Sequence, residues 1–305
     1  GNSRKIIGEA EGKLDKMADQ IRPRRSVLYM PGSNARAMEK AKSLAADALI
    51  LDLEDAVAPD AKVMARAQVI EAVNKGGYGP REVIVRVNGP ATPWHADDLA
   101  AAAASAANAV LLPKVEGAGQ VRAAAAQLPD EMDLWCMIET PLAILHVEEI
   151  AAASPKTRCL VVGTSDLATD LNALHTPNRE PFTTALSMCL LAARAYGLSV
   201  LDGVYLDLAD DPGFAAACKQ GRQFGFDGKT LIHPRQLAAA NRAFAPSDDD
   251  IAEADIIVTA FEQARADGKG VVVVNGQLVE NLHVASARRL LALADAISTM
   301  QVGIG

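Results

Sequence analysis

Short apolar runs alternate along this chain with longer stretches in which apolar residues recur every three or four positions. The short runs fall at 26–31 (SVLYMP), 48–53 (ALILDL), 83–88 (VIVRVN), 109–113 (AVLLP), 133–139 (DLWCMIE), 158–163 (RCLVVG), 201–206 (LDGVYL) and 229–232 (KTLI). Several are continuously apolar, as parallel strands covered on both faces require. Helical patterning occupies 34–46, 60–75, 95–107, 117–127, 141–153, 183–196, 211–224 and 235–243. Asn34, Asp60, Thr183 and Asp211 stand where a short polar side chain would cap a helix start.

Eight strands and eight helices in alternation predict a closed α/β (β/α)8 TIM barrel over 21–246. A doubly wound sheet is the alternative, but the first strand ends in PGSN rather than GxGxxG. The pattern changes after Pro246. An acidic helix start at Ser247 to Asp250 leads a long helix to about Ala266, then the run VVVV, an Asn275-Gly276 hairpin turn and a last helix near 283–298. This predicts a C-terminal extension over 247–305, a helix–hairpin–helix able to cover its own or a neighbouring active site. Residues 1–20 read as a helical or flexible leader without the apolar core of a secretory signal.

Composition narrows the function. Half of the 305 residues are hydrophobic and 22% are charged, which predicts a large core. Lysine plus arginine is 30 against 38 acidic residues, a net charge of −8, so a broad face for nucleic acid or anionic membrane is not expected. Aromatics at 4% offer no base-stacking platform. No apolar run approaches the roughly eighteen residues of a membrane span. Cys136, Cys159, Cys189 and Cys218 form no CxxC pair and read as buried thiols of a reducing, cytoplasmic compartment.

The chemistry gathers at the predicted C-terminal strand ends, the face that carries barrel active sites. Glu54 and Asp55 follow strand two, Arg86 and Asn88 lie on strand three, and Lys114 and Glu116 follow strand four. Glu139 and Thr140 follow strand five, and Thr164, Ser165 and Asp166 follow strand six. Glu139 and Asp166 suit a hard ion such as Mg2+, or else cap helices and pair with Arg86 and Lys114. Glu54 and Asp55 fit a supporting role around metal-bound water, or a helix cap. Arg86 within VIVRVN needs a carboxylate partner, from the protein or from a substrate. The PGSN turn with Arg36 and Lys40 can receive phosphate, or is a plain loop beside a surface helix. The five histidines make no metal motif, and Ser165 lacks a nucleophile-elbow setting.

These residues sit in SVLYMPGSNARAMEKA (26–41), ADALILDLEDAV (46–57), VIVRVNG (83–89), LLPKVE (111–116), MIETPLAI (137–144), GTSDLATDL (163–171) and GFDGKTLIHPRQ (225–236). In that order they resemble the HpcH/HpaI aldolase/citrate lyase family, in its branch of citrate lyase β-subunit-like proteins and malyl-CoA and citramalyl-CoA lyases. The resemblance implies Mg2+ on Glu139 and Asp166, and Arg86 on the keto-acid oxygen and carboxylate. It implies Glu54 and Asp55 near the metal's water shell. It also implies a coenzyme A thioester bound near Tyr29, Pro31, Gly32, Arg36, Lys40 and Lys114. A homotrimer or hexamer is implied as well.

The family's G-x-M-I-D hairpin brings an acid/base aspartate to a neighbouring subunit. Here Gly276-Gln277-Leu278-Val279-Glu280 puts Glu280 at that position, one methylene longer. The main expectation is therefore a Mg2+-dependent carbon–carbon lyase. It would cleave a β-hydroxyacyl-CoA to an acyl-CoA and a small α-keto acid, glyoxylate or pyruvate. The alternatives are a malyl-CoA thioesterase or malate-synthase-like condensing hydrolase, a free-acid aldolase, and an inactive CoA-binding or structural homologue.

Overall fold

The computed structural model describes residues 21–268, 271–274 and 276–304. The predicted leader, and Asn275 of the predicted turn, lie outside them. The chain divides into two compact units, one over Arg24–Phe244 and one that takes in 245–303.

The first unit runs β1 (Ser26–Pro31), α1 (Ala35–Ala41), β2 (Ala48–Asp52), α2 (Lys62–Lys75), β3 (Glu82–Arg86), α3 (His95–Ala103), β4 (Ala109–Leu112) and α4 (Ala118–Ala125). It continues through β5 (Asp133–Ile138), α5 (Pro141–Leu145), α6 (Val147–Ala152), β6 (Thr157–Val162), α7 (Thr164–Asp170) and α8 (Thr183–Ala195). It ends with β7 (Ser199–Asp202), α9 (Asp211–Phe224), β8 (Gly228–Leu231) and α10 (Leu237–Phe244). The eight strands pair in sequence order, all parallel, and β1 closes on β8. The predicted TIM barrel is the observed fold.

Alternation along each strand explains the apolar runs. Val27, Ile50, Ile84, Leu111, Trp135, Val161 and Leu201 point into the barrel and pack on one another. Their neighbours Leu28, Leu49, Leu51, Val85, Leu112 and Val162 point outward into the layer shared with the helices. Both faces are buried, so both must be apolar.

At the N-terminal mouth the barrel is closed by charge. The Arg24 guanidinium lies 4.9 Å from the Trp135 ring centroid, and its Nε and Nη2 reach the two Glu82 carboxylate oxygens at 2.7 and 2.8 Å. The Arg24 backbone crosses β8 closely, and only glycine fits at position 228 beneath it. The four cysteines are buried and free.

Local readings need correction in six places. Asn34 does cap α1, accepting from the Ala37 amide at 3.0 Å. Asp60 instead lies in a short 3-10 turn, the residue before α8 is Phe182, and α9 is capped by Asp210 rather than Asp211. The stretch 141–153 breaks at His146, whose Nδ1 lies 2.8 Å from the Glu116 carbonyl oxygen. The seventh strand stops at Asp202, and Gly203 after it packs against Thr164 and the Val162 carbonyl too closely for a Cβ. Finally, 164–170 is a helix, which the loop-like composition TSDLATD conceals.

The second unit contains α11 (Asp248–Ala266), the antiparallel pair β9 (Val272–Val274) and β10 (Gln277–Val279), and α12 (Asn281–Ile304). Ser247 and Asp250 form a reciprocal capping box at the start of α11. Gly276 has φ +80°, which the hairpin turn needs. Phe261, Val279 and Val284 form a small core. Among the described residues no helix is long and apolar enough to cross a membrane.

Two glycines give opposite expectations. A Cβ at Gly228 would fall 1.8 Å from the Arg24 carbonyl oxygen. Gly228→Ala should therefore lose about 3 kcal/mol or more in denaturant unfolding. Gly119 lies in α4 with nothing within 4 Å of its would-be Cβ. Gly119→Ala should gain roughly 0.5–1 kcal/mol in the same measurement.

Candidate active site

The ends of β2 and β3 meet in register, Asp52 beside Arg86. Both side chains follow the inward-facing alternation of their strands. Arg86 donates from Nε and Nη2 to the two oxygens of Asp52, each at 2.6 Å. Its Nη1 lies 2.8 Å from Glu54 Oε2 and 3.5 Å from Asp55 Oδ2. The Tyr29 ring centroid is 4.8 Å from the guanidinium carbon. Burial opposes the charge on Arg86, but Asp52, Tyr29 and Glu54 outweigh it and hold the guanidinium protonated.

Asp52 also accepts the backbone amides of Glu54 at 2.8 Å and Ala56 at 3.1 Å. The loop after β2 is thus wrapped round one carboxylate, which turns Glu54 back toward Arg86. Burial pushes the Glu54 carboxyl up to about 7; Arg86 pulls it down, while Asp55, Glu139 and Asp52 add to the rise. A carboxyl that titrates there can exchange a proton at neutral pH.

Across the mouth, Glu139 follows β5. Its Oε1 accepts the Lys114 amide at 2.8 Å and lies 3.8 Å from the Lys114 ammonium. That ammonium also pairs with Asp166, in the first turn of α7. Burial raises the Glu139 carboxyl and Lys114 opposes the rise. Lys114 takes φ +52°, a backbone region that costs a non-glycine residue energy and concentrates at functional sites. Gly163 leaves the room that Glu139 fills; a Cβ there would fall 2.4 Å from Glu139 Cβ and 2.7 Å from its Oε2.

The donor set fits a hard divalent cation. One cation, the Lys114 ammonium, already contacts both Asp166 and Glu139. Among the described residues no three His, Cys, Asp or Glu side chains gather as a closed cage. An ion held by Glu139 and Asp166 would keep its other positions for water or substrate oxygens, as Mg2+ commonly does.

The structure brings Tyr29, Glu54, Asp55 and Arg86 together, and separately Lys114, Glu139 and Asp166. Pro31 and Gly32 begin the turn into α1. The Gly32 amide goes to the Asp52 carbonyl at 2.8 Å, and a Cβ there would meet that oxygen at 2.6 Å. Gly32 therefore serves close packing, while Arg36 and Lys40 stand exposed on α1 without an ion pair among the described residues. Glu280 is exposed in the other unit, between β10 and α12. Asn88 ties loops together, donating to the Leu53 carbonyl and to Asp98. Thr140 caps α5.

Sequence reading missed Asp52 and Gly163. Asp52 had a signal: it ends the apolar run of β2, two residues before Glu54.

The model of the HpcH/HpaI aldolase/citrate lyase family matches residues 25–234. The chain is 51% identical to a (3S)-malyl-CoA thioesterase of Cereibacter sphaeroides, over 92% of this chain and 98% of that protein. It is 36% identical to an L-malyl-CoA/beta-methylmalyl-CoA lyase of the same species, over 91% and 96%. Among solved structures it resembles CitE of Mycobacterium tuberculosis in complex with magnesium, acetoacetate and coenzyme A, with TM-score 0.72, 31% identity, and 88% and 97% coverage.

These similarities correct the expectation of a carbon–carbon lyase, because identity to the thioesterase is well above identity to the lyase over nearly the same span. The physical reason for the error is that the motifs used describe carboxylates, a cation and strand-end geometry. Both reactions need those parts on the same kind of substrate.

Asp52 is the partner on which Arg86 depends. Asp52→Ala leaves a buried guanidinium short of its main counter-charge and should cost about 3–5 kcal/mol in urea unfolding. Asp55→Ala, at an exposed and longer contact, should cost about 1 kcal/mol or less.

Proposed function

The chain belongs to the HpcH/HpaI aldolase/citrate lyase family, and on that premise we propose that it hydrolyses a malyl-CoA-type thioester to the free hydroxy-diacid and coenzyme A. The observation that carries the choice of hydrolysis is the 51% identity to a (3S)-malyl-CoA thioesterase along 98% of that protein. The site supports it with a carboxyl at Glu54 that titrates near neutrality beside a buried cation.

Each residue then has a task. Arg86 spends Nε and Nη2 on Asp52 and Nη1 on Glu54, and its further N–H groups take the free carboxylate of the substrate. Glu54 as carboxylate removes a proton from water while the water oxygen attacks the thioester carbonyl carbon. The carbon–sulfur bond then breaks, and the departing thiolate takes up a proton. Glu139 and Asp166 would hold Mg2+, which supplies positive charge to substrate oxygens when bound. The exposed Arg36 and Lys40 and the ammonium of Lys114 provide cations for the anionic coenzyme.

The reaction test is product analysis with malyl-CoA and Mg2+. Free coenzyme A and malate without glyoxylate are expected; acetyl-CoA and glyoxylate as the sole products would overturn the proposal. The base requires Glu54 deprotonated, so kcat/KM should rise with pH through about 7 and level off above it. Glu54→Gln should lower kcat roughly 100-fold or more and remove that limb. A normal rate in Glu54→Gln, with loss of rate in Glu280→Ala, would move the base to Glu280. Mg2+ at a hundred times its Kd should stabilise the wild type by about 2.7 kcal/mol, and Glu139→Gln or Asp166→Asn should abolish that melting shift.

A further inference from the structure

Lys62 opens α2, where a cation is disfavoured twice. The first helical turn carries partial positive charge, and Lys62 is only 6% exposed, so water solvates its ammonium poorly. Burial accordingly pulls Lys62 below the ordinary lysine value. The Nζ donates to the Leu53 carbonyl at 2.8 Å and the Glu54 carbonyl at 2.7 Å. It lies 5.4 Å from the ring centroid of Trp94, on the loop after β3.

A neutral donor would suffice to tie down two carbonyls. What the ammonium adds is charge among carboxylates: Asp52, Glu54 and Asp55 after β2, and Asp98 on α3. Glu54 is otherwise faced by Arg86 on β3, by Asp52 and Asp55 of its own segment, by Glu139 after β5 and by Tyr29 on β1. Arg86 is largely committed to Asp52, and Lys62 is a further cation that feels the Glu54 charge. It is also fixed to the two peptide carbonyls that place the Glu54 side chain.

We infer that Lys62 is a positioning residue for Glu54, anchoring the backbone that aims its carboxylate and favouring the ionised form that accepts a proton. This rests on the reading of Glu54 as the base. Lys62 touches no reacting atom; it acts through the loop and through its field. The division of labour is testable, because the anchor is a hydrogen bond and the field is a charge.

The experiment measures kcat and KM for coenzyme A release from malyl-CoA, from about pH 5 to about pH 9, in wild type, Lys62→Met, Lys62→Gln and Glu54→Gln, with melting temperatures alongside. Lys62→Gln keeps a donor for the carbonyls, so it covers the case in which Lys62→Met does not fold. In Lys62→Gln the acid limb is expected to move up by about one pH unit. In Lys62→Met it should move at least as far, with kcat roughly tenfold lower near pH 7 and KM within about twofold of wild type. A lowered melting temperature with an unmoved limb in Lys62→Gln, while Glu54→Gln is flat, would overturn the inference alone and leave Lys62 a structural tie. A limb that persists in Glu54→Gln would overturn the reading of Glu54, and this inference with it.

Discussion

The paired ends of β2 and β3 hold a buried arginine and a buried aspartate in register, and the active mouth is organised round that pair. Arg86 meets Asp52 through two bonds of 2.6 Å, the fork geometry that matches a guanidinium to a carboxylate. A cation buried this deeply is tolerable only with such a partner. Asp52 then accepts two backbone amides of the following loop, and that loop carries Glu54 and Asp55 back over the guanidinium. One ion pair therefore sets the position of the guanidinium, the shape of the loop and the direction of the titrating carboxyl.

Close backbone approach supplies the complementary constraint. Glu139 occupies volume that exists only because residue 163 has no side chain, and the β1 turn lies against β2 only because residue 32 has none. Both glycines follow strands at the C-terminal face. Lys114 sits in the left-handed region, with its amide on Glu139 and its ammonium on Asp166 and Glu139. The buried carboxylates on the two sides of the mouth, Asp52 and Glu54 on one and Glu139 on the other, are thus compensated by different means. One set is paired with a fixed arginine, the other with a flexible lysine that a bound metal could replace.

Much of this is legible in the sequence. Arg86 in VIVRVN announced a buried cation, because nothing in that run could satisfy it locally. Glu54, Glu139 and Asp166 announced themselves by standing at the ends of apolar strands. Asp52 hid within its strand, read as part of ALILDL. Lys62 hid at a helix start, where a lysine looks like surface. The residues of the second unit stayed open for another reason: the sequence shows a carboxylate at Glu280, but reach and partner are properties of distance.

Hydrophobic periodicity determined the barrel by itself, because strands buried on both faces must be apolar at every position and their count and spacing leave few ways to close. The strand-end motifs also pointed to the family. Tertiary structure alone decided which charges meet: that Arg86 is held by Asp52, that Glu54 is turned inward and titrates near 7, and that Lys62 binds the carbonyls beneath it. Those facts depend on strand register and on burial from every side. Neither is a property of a residue or of its neighbours in the chain.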